Sequence, residues 1–244
     1  MLPRKRPHRA ASLAALVLLA VTGCATGDAP QSTDSASSPA SPAATAPGSA
    51  VSCQDPPATP SSARSFDQVP SADAARGKTF TATIRTSCGD LVLELDGAKA
   101  PQTVASFMHL ARAGYWKDSP CHRLTAGGGS LSVLQCGDPT GTGTGNPGYG
   151  FGIENAPSDG SYPAGTVAMA RSNDPNSNGG QFFLTYADST IPPEYGGYTI
   201  FGKVVEGMPV LRSIAQQGTS SGEPDGAPKQ PVSILTVTVT EKKA

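Results

Sequence analysis

An all-β barrel plugged by two helices is the fold this sequence predicts, and three observations carry that expectation. Apolar and polar residues alternate over several short runs, the pattern of strands buried on one face. Two stretches show helical spacing instead, and both are short. The chain is punctuated by 28 glycines and 23 prolines, which suits short strands joined by tight loops and leaves little room for long helices.

Residues 1–23 read as a targeting segment. Arg4, Lys5, Arg6 and Arg9 form a basic region, and Ala10–Ala20 is an apolar run too short to span a bilayer as a folded helix. Val21-Thr22-Gly23-Cys24 then matches the bacterial lipobox, in which the chain is cut before an acylated cysteine. An ordinary secretory signal with an incidental Cys24 is the alternative; small residues just before the cysteine and polar sequence just after it favour lipidation. Acyl chains on Cys24 would supply the two or more anchors that stable attachment requires. The expected location is therefore extracytoplasmic, with the lipid anchor as the membrane contact.

Residues 24–78 are rich in Ser, Pro, Ala and Thr with scarcely an aromatic, so they bury too little apolar surface to offset their ordering entropy. A disordered tether is expected there, and about 50 such residues reach on the order of 40 Å. What remains, residues 79–244, suits one compact domain with a single core, expected to be a monomer.

In that domain Phe80, Ala82 and Ile84 alternate with polar residues, Ser87-Cys88-Gly89-Asp90 supplies turn chemistry, and Leu91, Leu93 and Leu95 alternate again. This predicts a β-hairpin. Pro101 stands at a first helical position, and Val104, Phe107, Met108 and Ala111 recur at helical spacing until Gly114 stops the run. Met208 to Ala215 is the second, shorter helix, and Ser233, Leu235, Val237 and Val239 alternate as a final strand.

Several function classes are disfavoured. Net charge is −1 and no basic run exists beyond the signal, so the electrostatic footprint of a nucleic-acid binder is missing. Gly141-Thr142-Gly143-Thr144-Gly145 imitates a phosphate-cradling loop, yet no Gly-Lys-Ser/Thr follows. Asp174 to Gly179 imitates the start of an EF-hand loop, but its twelfth position is Thr185 and a strand pattern follows, so a solvated turn is expected. His122 lies beside Cys121, but His109 is the only other histidine beyond the signal. A core histidine satisfied by hydrogen bonds is the expectation there, with no metal. Cys53, Cys88, Cys121 and Cys136 are an even set in a chain facing an oxidising exterior, so disulfides are expected and three pairings are open.

Four strings stand in one register: C-H-R-L at Cys121–Leu124, V-L-Q-C-G-D-P-T-G-T-G-T-G at Val133–Gly145, G-G-Q-F-F-L at Gly179–Leu184 and F-G-K-V-V-E-G-M at Phe201–Met208. Through them the chain, from about Thr79 to its C-terminus, resembles the cyclophilins, peptidyl-prolyl cis/trans isomerases of the β-barrel type. The resemblance implies a closed eight-stranded antiparallel barrel with a helix capping each end. It also implies an isomerase without cofactor that acts on X-Pro bonds of proline-containing polypeptide clients, here exported chains as they fold.

By the same resemblance Arg123 points into the proline pocket. The X-Pro bond is held planar by resonance with a barrier of roughly 18 to 20 kcal/mol, and a donor to the prolyl nitrogen lone pair removes that resonance in the twisted state. Arginine donates without titrating; a surface arginine in a salt bridge is the bland alternative. Phe183 matches the aromatic floor that grips the pyrrolidine ring, with Phe182 expected to face the core. Gln135 and Gln181 match two amides near the arginine, Val133 an apolar wall, and Ala170 and Arg171 groove contacts. His122, Ile191 and Tyr198 complete the implied substrate site. Cys121 and Cys136 fall at near-neighbour positions across the strands, which makes their disulfide the implied pairing and leaves Cys53 with Cys88.

Departures from the family pattern also stand in the chain. Ala126 to Ser130 is an insertion, Ser132 falls where a phenylalanine wall is usual, leaving Leu131 to fold in, and the groove tryptophan has no counterpart around Asp188 to Tyr198. They motivate the rival expectation of a proline-binding module or chaperone with weak turnover.

Overall fold

The computed structural model of the chain describes residues 51–243. The signal segment, Cys24 and the expected tether as far as residue 50 lie outside the described residues.

Strands β1 (Thr79–Thr86) and β2 (Gly89–Asp96) form the expected hairpin, paired along their whole length. Thr86 closes its turn, because its hydroxyl accepts the N–H of Cys88 at 3.1 Å and donates to the carbonyl of Gly89 at 2.6 Å. Helix α1 (Pro101–Arg112) begins on proline and has no local side-chain cap. The carboxylate of Glu154 fills that role from a distant loop, accepting the N–H groups of Gln102 at 3.0 Å and Thr103 at 2.8 Å, where the helix dipole also favours negative charge. The helix stops where Gly114 takes a positive φ of 65° and the N–H of Tyr115 reaches back to Leu110 at 2.9 Å.

Strands β3 (Ser119–Pro120), β4 (Arg123–Thr125), β5 (Val133–Cys136), β6 (Ser161–Tyr162), β7 (Thr166–Met169), β8 (Phe182–Thr185), β9 (Ser189–Thr190) and β10 (Ile200–Glu206) come next. Helix α2 (Met208–Gln216), β11 (Asp225–Gly226) and β12 (Ser233–Glu241) complete the chain. Among the described residues, ten strands form one curled antiparallel sheet in the order β11-β4-β5-β8-β7-β10-β2-β1-β12-β3, with β6 and β9 paired separately.

The closed eight-stranded barrel expected above is thus replaced by an open, curled sheet. Its seam is the run from Ser119 to Thr125, where the chain leaves β12 at Ser119–Pro120 and joins β5 at Arg123–Leu124. The N–H of Cys121 still donates to the carbonyl of Val232 at 2.9 Å, and the continuous chain from Ser119 to Thr125 links the two sides of the seam. A second difference lies in β12. The pairing shifts between Arg85 and Thr86, which face Thr236 and Ile234, leaving Leu235 as the extra residue of a bulge. Ile234, not Leu235, is consequently the fully buried residue at that point.

The main core lies on one face of the sheet. Leu91, Leu93 and Leu95 of β2, Val104, Phe107 and Leu110 of α1, and Phe182 and Leu184 of β8 share one buried apolar cluster, with the Phe107 and Phe182 ring centroids 5.7 Å apart. Trp116, 2% exposed, sits at its centre with Phe107 at 4.6 Å and Phe182 at 5.6 Å between ring centroids.

The segment 51–78 departs from the expected tether. Phe66 stands edge-on to His109 at 4.8 Å and its N–H donates to Pro147 at 2.8 Å, Gln54 donates to Ser87 at 2.7 Å, and Ala75 is fully buried. Anchors this sparse, an aromatic ring and one cysteine, do not register in a composition dominated by Ser, Pro and Ala. The cysteines stand at disulfide distance as Cys53 with Cys88 and Cys121 with Cys136, the arrangement the family resemblance implied.

Candidate active site

The sheet itself aligns the site. Arg123 of β4 faces Gln135 of β5, Gln135 faces Phe183 of β8, and Phe183 faces Ala168 of β7. Directly opposed residues project to the same side, so these four form one row. Alternation then adds Val133, Gln181 and Ala170, each two residues from a member of the row. The intervening Leu134, Cys136, Phe182 and Leu184 go to the core behind.

A cavity of about 550 Å3 opens over that row, lined by His122, Arg123, Leu131, Val133, Gln135, Ala170, Arg171, Phe183, Ile191 and Tyr198 together with Thr142, Gly143, Asp225, Gly226 and Ala227. Every substrate residue named from the sequence lies here except Gln181, which lines an adjoining cavity of about 360 Å3. Phe183 packs in a small apolar cluster with Val133, Tyr162 and Ala168, flanked by Leu131, Ile191 and Tyr198. Leu131 supplies the wall, whereas Ser132 is buried away from the cavity and its N–H donates to the hydroxyl oxygen of Ser189 at 3.0 Å. The chain's single tryptophan is Trp116 in the core, so the groove is finished by Ile191 and by Tyr198, whose ring lies 4.7 Å below the Arg171 guanidinium.

A hydrogen-bond chain fixes the polar groups. Arg123 Nη1 donates to Gln135 Oε1 at 3.1 Å, Gln135 Nε2 to Gln181 Oε1 at 3.0 Å, and Gln181 Nε2 to the carbonyls of Gly143 at 2.9 Å and Gly145 at 3.0 Å. The ends dictate both amide orientations, because a guanidinium only donates and a backbone carbonyl only accepts. At the other edge Arg123 forks onto Asp225, Nε to Oδ1 at 2.9 Å and Nη2 to Oδ2 at 2.7 Å. The Asp225 hydrogen bond raises the arginine's pKa further, so its charge is constant over any working range.

The glycine-threonine loop is organised from within by Asp138, which is fully buried. Its carboxylate accepts the N–H and hydroxyl of Thr140, both at 2.8 Å, the hydroxyl of Thr142 at 3.0 Å and the N–H of Gly145 at 2.9 Å. Gly145 is required by this approach, since a Cβ there would stand 2.0 Å from Asp138 Oδ1. Burial alone would push the Asp138 carboxyl up, but the hydrogen bonds from Gly145, Thr140 and Thr142 outweigh it and hold it at about 2. A carboxyl lowered by folding stabilises fully above its unfolded value near 4 and loses that contribution as pH falls toward 2. Asp138→Asn is therefore expected to cost on the order of 2 kcal/mol at pH 7 and to flatten the acid limb of stability, read from denaturant midpoints between about pH 6 and 2; an unchanged limb would refute this.

His122 lies in the cavity but lacks the hydrogen bonds expected of a core ring. Neither ring nitrogen has a partner among the described residues, so it is not a core histidine satisfied by hydrogen bonds but a wall of the cavity. Burial lowers its pKa, opposed in part by the charge of Asp138 and reinforced by that of Arg123. Cys121 beside it stands at disulfide distance from Cys136. Asp225, Gly226 and Ala227 were not legible: the string E-P-D-G-A reads as an ordinary turn, and only its pairing with β4 brings it to the pocket.

Residues 81–239 match the family described as cyclophilin type peptidyl-prolyl cis-trans isomerase/CLD, and the chain belongs to that family. It is 42% identical over 201 residues to a probable peptidyl-prolyl cis-trans isomerase B of Mycobacterium leprae, covering 75% of this chain and 65% of that protein. A peptidyl-prolyl cis-trans isomerase of Helicobacter pylori is 40% identical over 141 residues, covering 57% of this chain and 82% of the other. The chain spans between about half and two thirds of the length of its mycobacterial relatives, at 52% and 65%. A Cryptosporidium parvum cyclophilin type isomerase, crystallised in the presence of the dipeptide Ala-Pro, superposes with a TM-score of 0.56 at 31% identity, covering 66% of this chain and 99% of that one.

Proposed function

We propose that this protein catalyses cis/trans isomerisation of X-Pro bonds in exported polypeptides, held at the membrane by lipid on Cys24. The observation that carries the activity is the row itself: Arg123 is fixed beside an apolar floor formed by Phe183 in one cavity. The pyrrolidine ring rests on Phe183 between Val133 and Leu131, out of water. Arg123 then donates to the prolyl nitrogen as it pyramidalises, which is the only moment at which that lone pair is free. Gln135 and Gln181 hold the arginine in place and offer the substrate backbone a polar edge. Neither a covalent intermediate nor an acid-base pair takes part.

The uncatalysed step takes tens of seconds or longer, so the test is direct. In a proteolysis-coupled assay on an Ala-Pro peptide, the full chain is expected to abolish the slow phase at catalytic concentration. Peptide binding without acceleration would instead establish the rival proline-binding module. The anchor is tested separately by Cys24→Ser, which is expected to lose lipid labelling and leave the membrane fraction; membrane attachment equal to the wild type would refute the lipoprotein assignment.

A further inference from the structure

We infer that Asp225 is a positioning residue for Arg123, aiming the guanidinium at the substrate. The inference deepens the proposed arginine mechanism and rests on it. Of the five N–H groups a guanidinium carries, Asp225 takes the one on Nε and one on Nη2, and Gln135 takes one on Nη1. One N–H on each terminal nitrogen is left for a substrate in the cavity. A carboxylate that meets Nε and Nη2 together also fixes the plane of the group, which a single contact cannot do.

The carboxylate is itself mounted rigidly. Asp225 and Gly226 pair with Thr125 and Leu124 of the strand that carries Arg123. The preceding Pro224 accepts the N–H of Ala126 at 2.6 Å, and the loop is closed on its own side by Ser220 to Ala227 at 2.8 Å and Thr219 Oγ1 to Glu223 at 2.6 Å. Donor and positioner thus stand on adjoining strands of one ladder, so the geometry between them does not depend on a mobile loop tip. Both side chains remain partly exposed, Arg123 at 39% and Asp225 at 52%. An ion pair so exposed contributes little to stability, which leaves orientation as its consequence.

The test compares full-length Asp225→Asn, Asp225→Glu and Arg123→Ala with the wild type. Asp225→Asn is expected to lower kcat by about tenfold with KM within about twofold and an unchanged denaturation midpoint, since it misdirects a donor without removing the floor. Asp225→Glu is expected to recover part of the loss by restoring the fork. The Arg123 Nε–H resonance, assigned by its disappearance in Arg123→Lys, is expected to be shifted and slow to exchange in the wild type and to become ordinary in Asp225→Asn. Unchanged turnover in folded Asp225→Asn, with turnover lost in Arg123→Ala, would overturn this inference alone. Faster turnover would overturn it by showing that Asp225 sequesters the arginine, and full activity of Arg123→Ala would take the arginine mechanism down with it.

Discussion

Arg123→Ala is expected to lower kcat/KM by about 100-fold or more, the loss that accompanies removal of one preorganised donor to a transition state, near 2.7 kcal/mol. The side chain is half-buried on β4 with its partners on the strands to either side, so truncation opens no core cavity and the loss is one of function. Arg123→Lys is not expected to restore the rate. An ammonium has no planar fork to satisfy Asp225 and Gln135 together and still present a further N–H to the substrate. The wild-type rate is expected to be flat between about pH 6.5 and 8, because Arg123 stays charged and burial moves the His122 transition downward. Wild-type turnover by a correctly folded Arg123→Ala protein would remove the arginine from the mechanism, and a steep bell-shaped profile in that range would bring His122 in.

Trp116→Ala is expected to have the largest effect on stability, about 4 kcal/mol. The indole is buried against Phe107, Phe182 and Tyr115, and its Nε1 donates to the carbonyl of Gly180 at 2.9 Å. Truncation leaves both a cavity and an unsatisfied carbonyl, which together use up much of an ordinary domain's margin. Gly180 precedes Gln181, so the loss also reaches the hydrogen-bond chain of the site. Trp116→Phe keeps most of the volume and forfeits the hydrogen bond, with an expected cost of about 1 to 2 kcal/mol. Urea midpoints at constant slope measure both; a loss below about 1 kcal/mol for Trp116→Ala would show that the core closes around the gap.

How much of this was legible depended on the range of the interaction. The β1–β2 hairpin and α1 were readable because period-two and helical spacing report which residues face inward, and Pro101 and Gly114 mark the ends. Glu154 as the cap of α1 was not, since nothing local distinguishes a carboxylate that reaches a helix about 50 residues away. The bulge at Leu235 has no signature in the sequence, because alternation cannot reveal where a partner strand slips register. In the site, Arg123, Gln135, Phe183 and Gln181 were placed by motif, and the sheet shows why their spacing matters: strand pairing turns three distant strings into one row. Asp225 carried no such signal, and the unpartnered state of His122 depends on surroundings that no string of residues encodes.

By itself, therefore, the sequence determined the β-rich class, the family, and most of the side chains that line the pocket, because each follows from alternation or from a motif held in a short stretch of chain. The tertiary structure alone decided that the sheet stays open along the Ser119–Thr125 seam, that residues from 51 onward lie against the domain through Phe66 and Cys53, and that Asp225 grips Arg123. Those outcomes are set by contacts between segments far apart in the chain, whose free energies depend on the geometry of both partners at once and leave no pattern in either one.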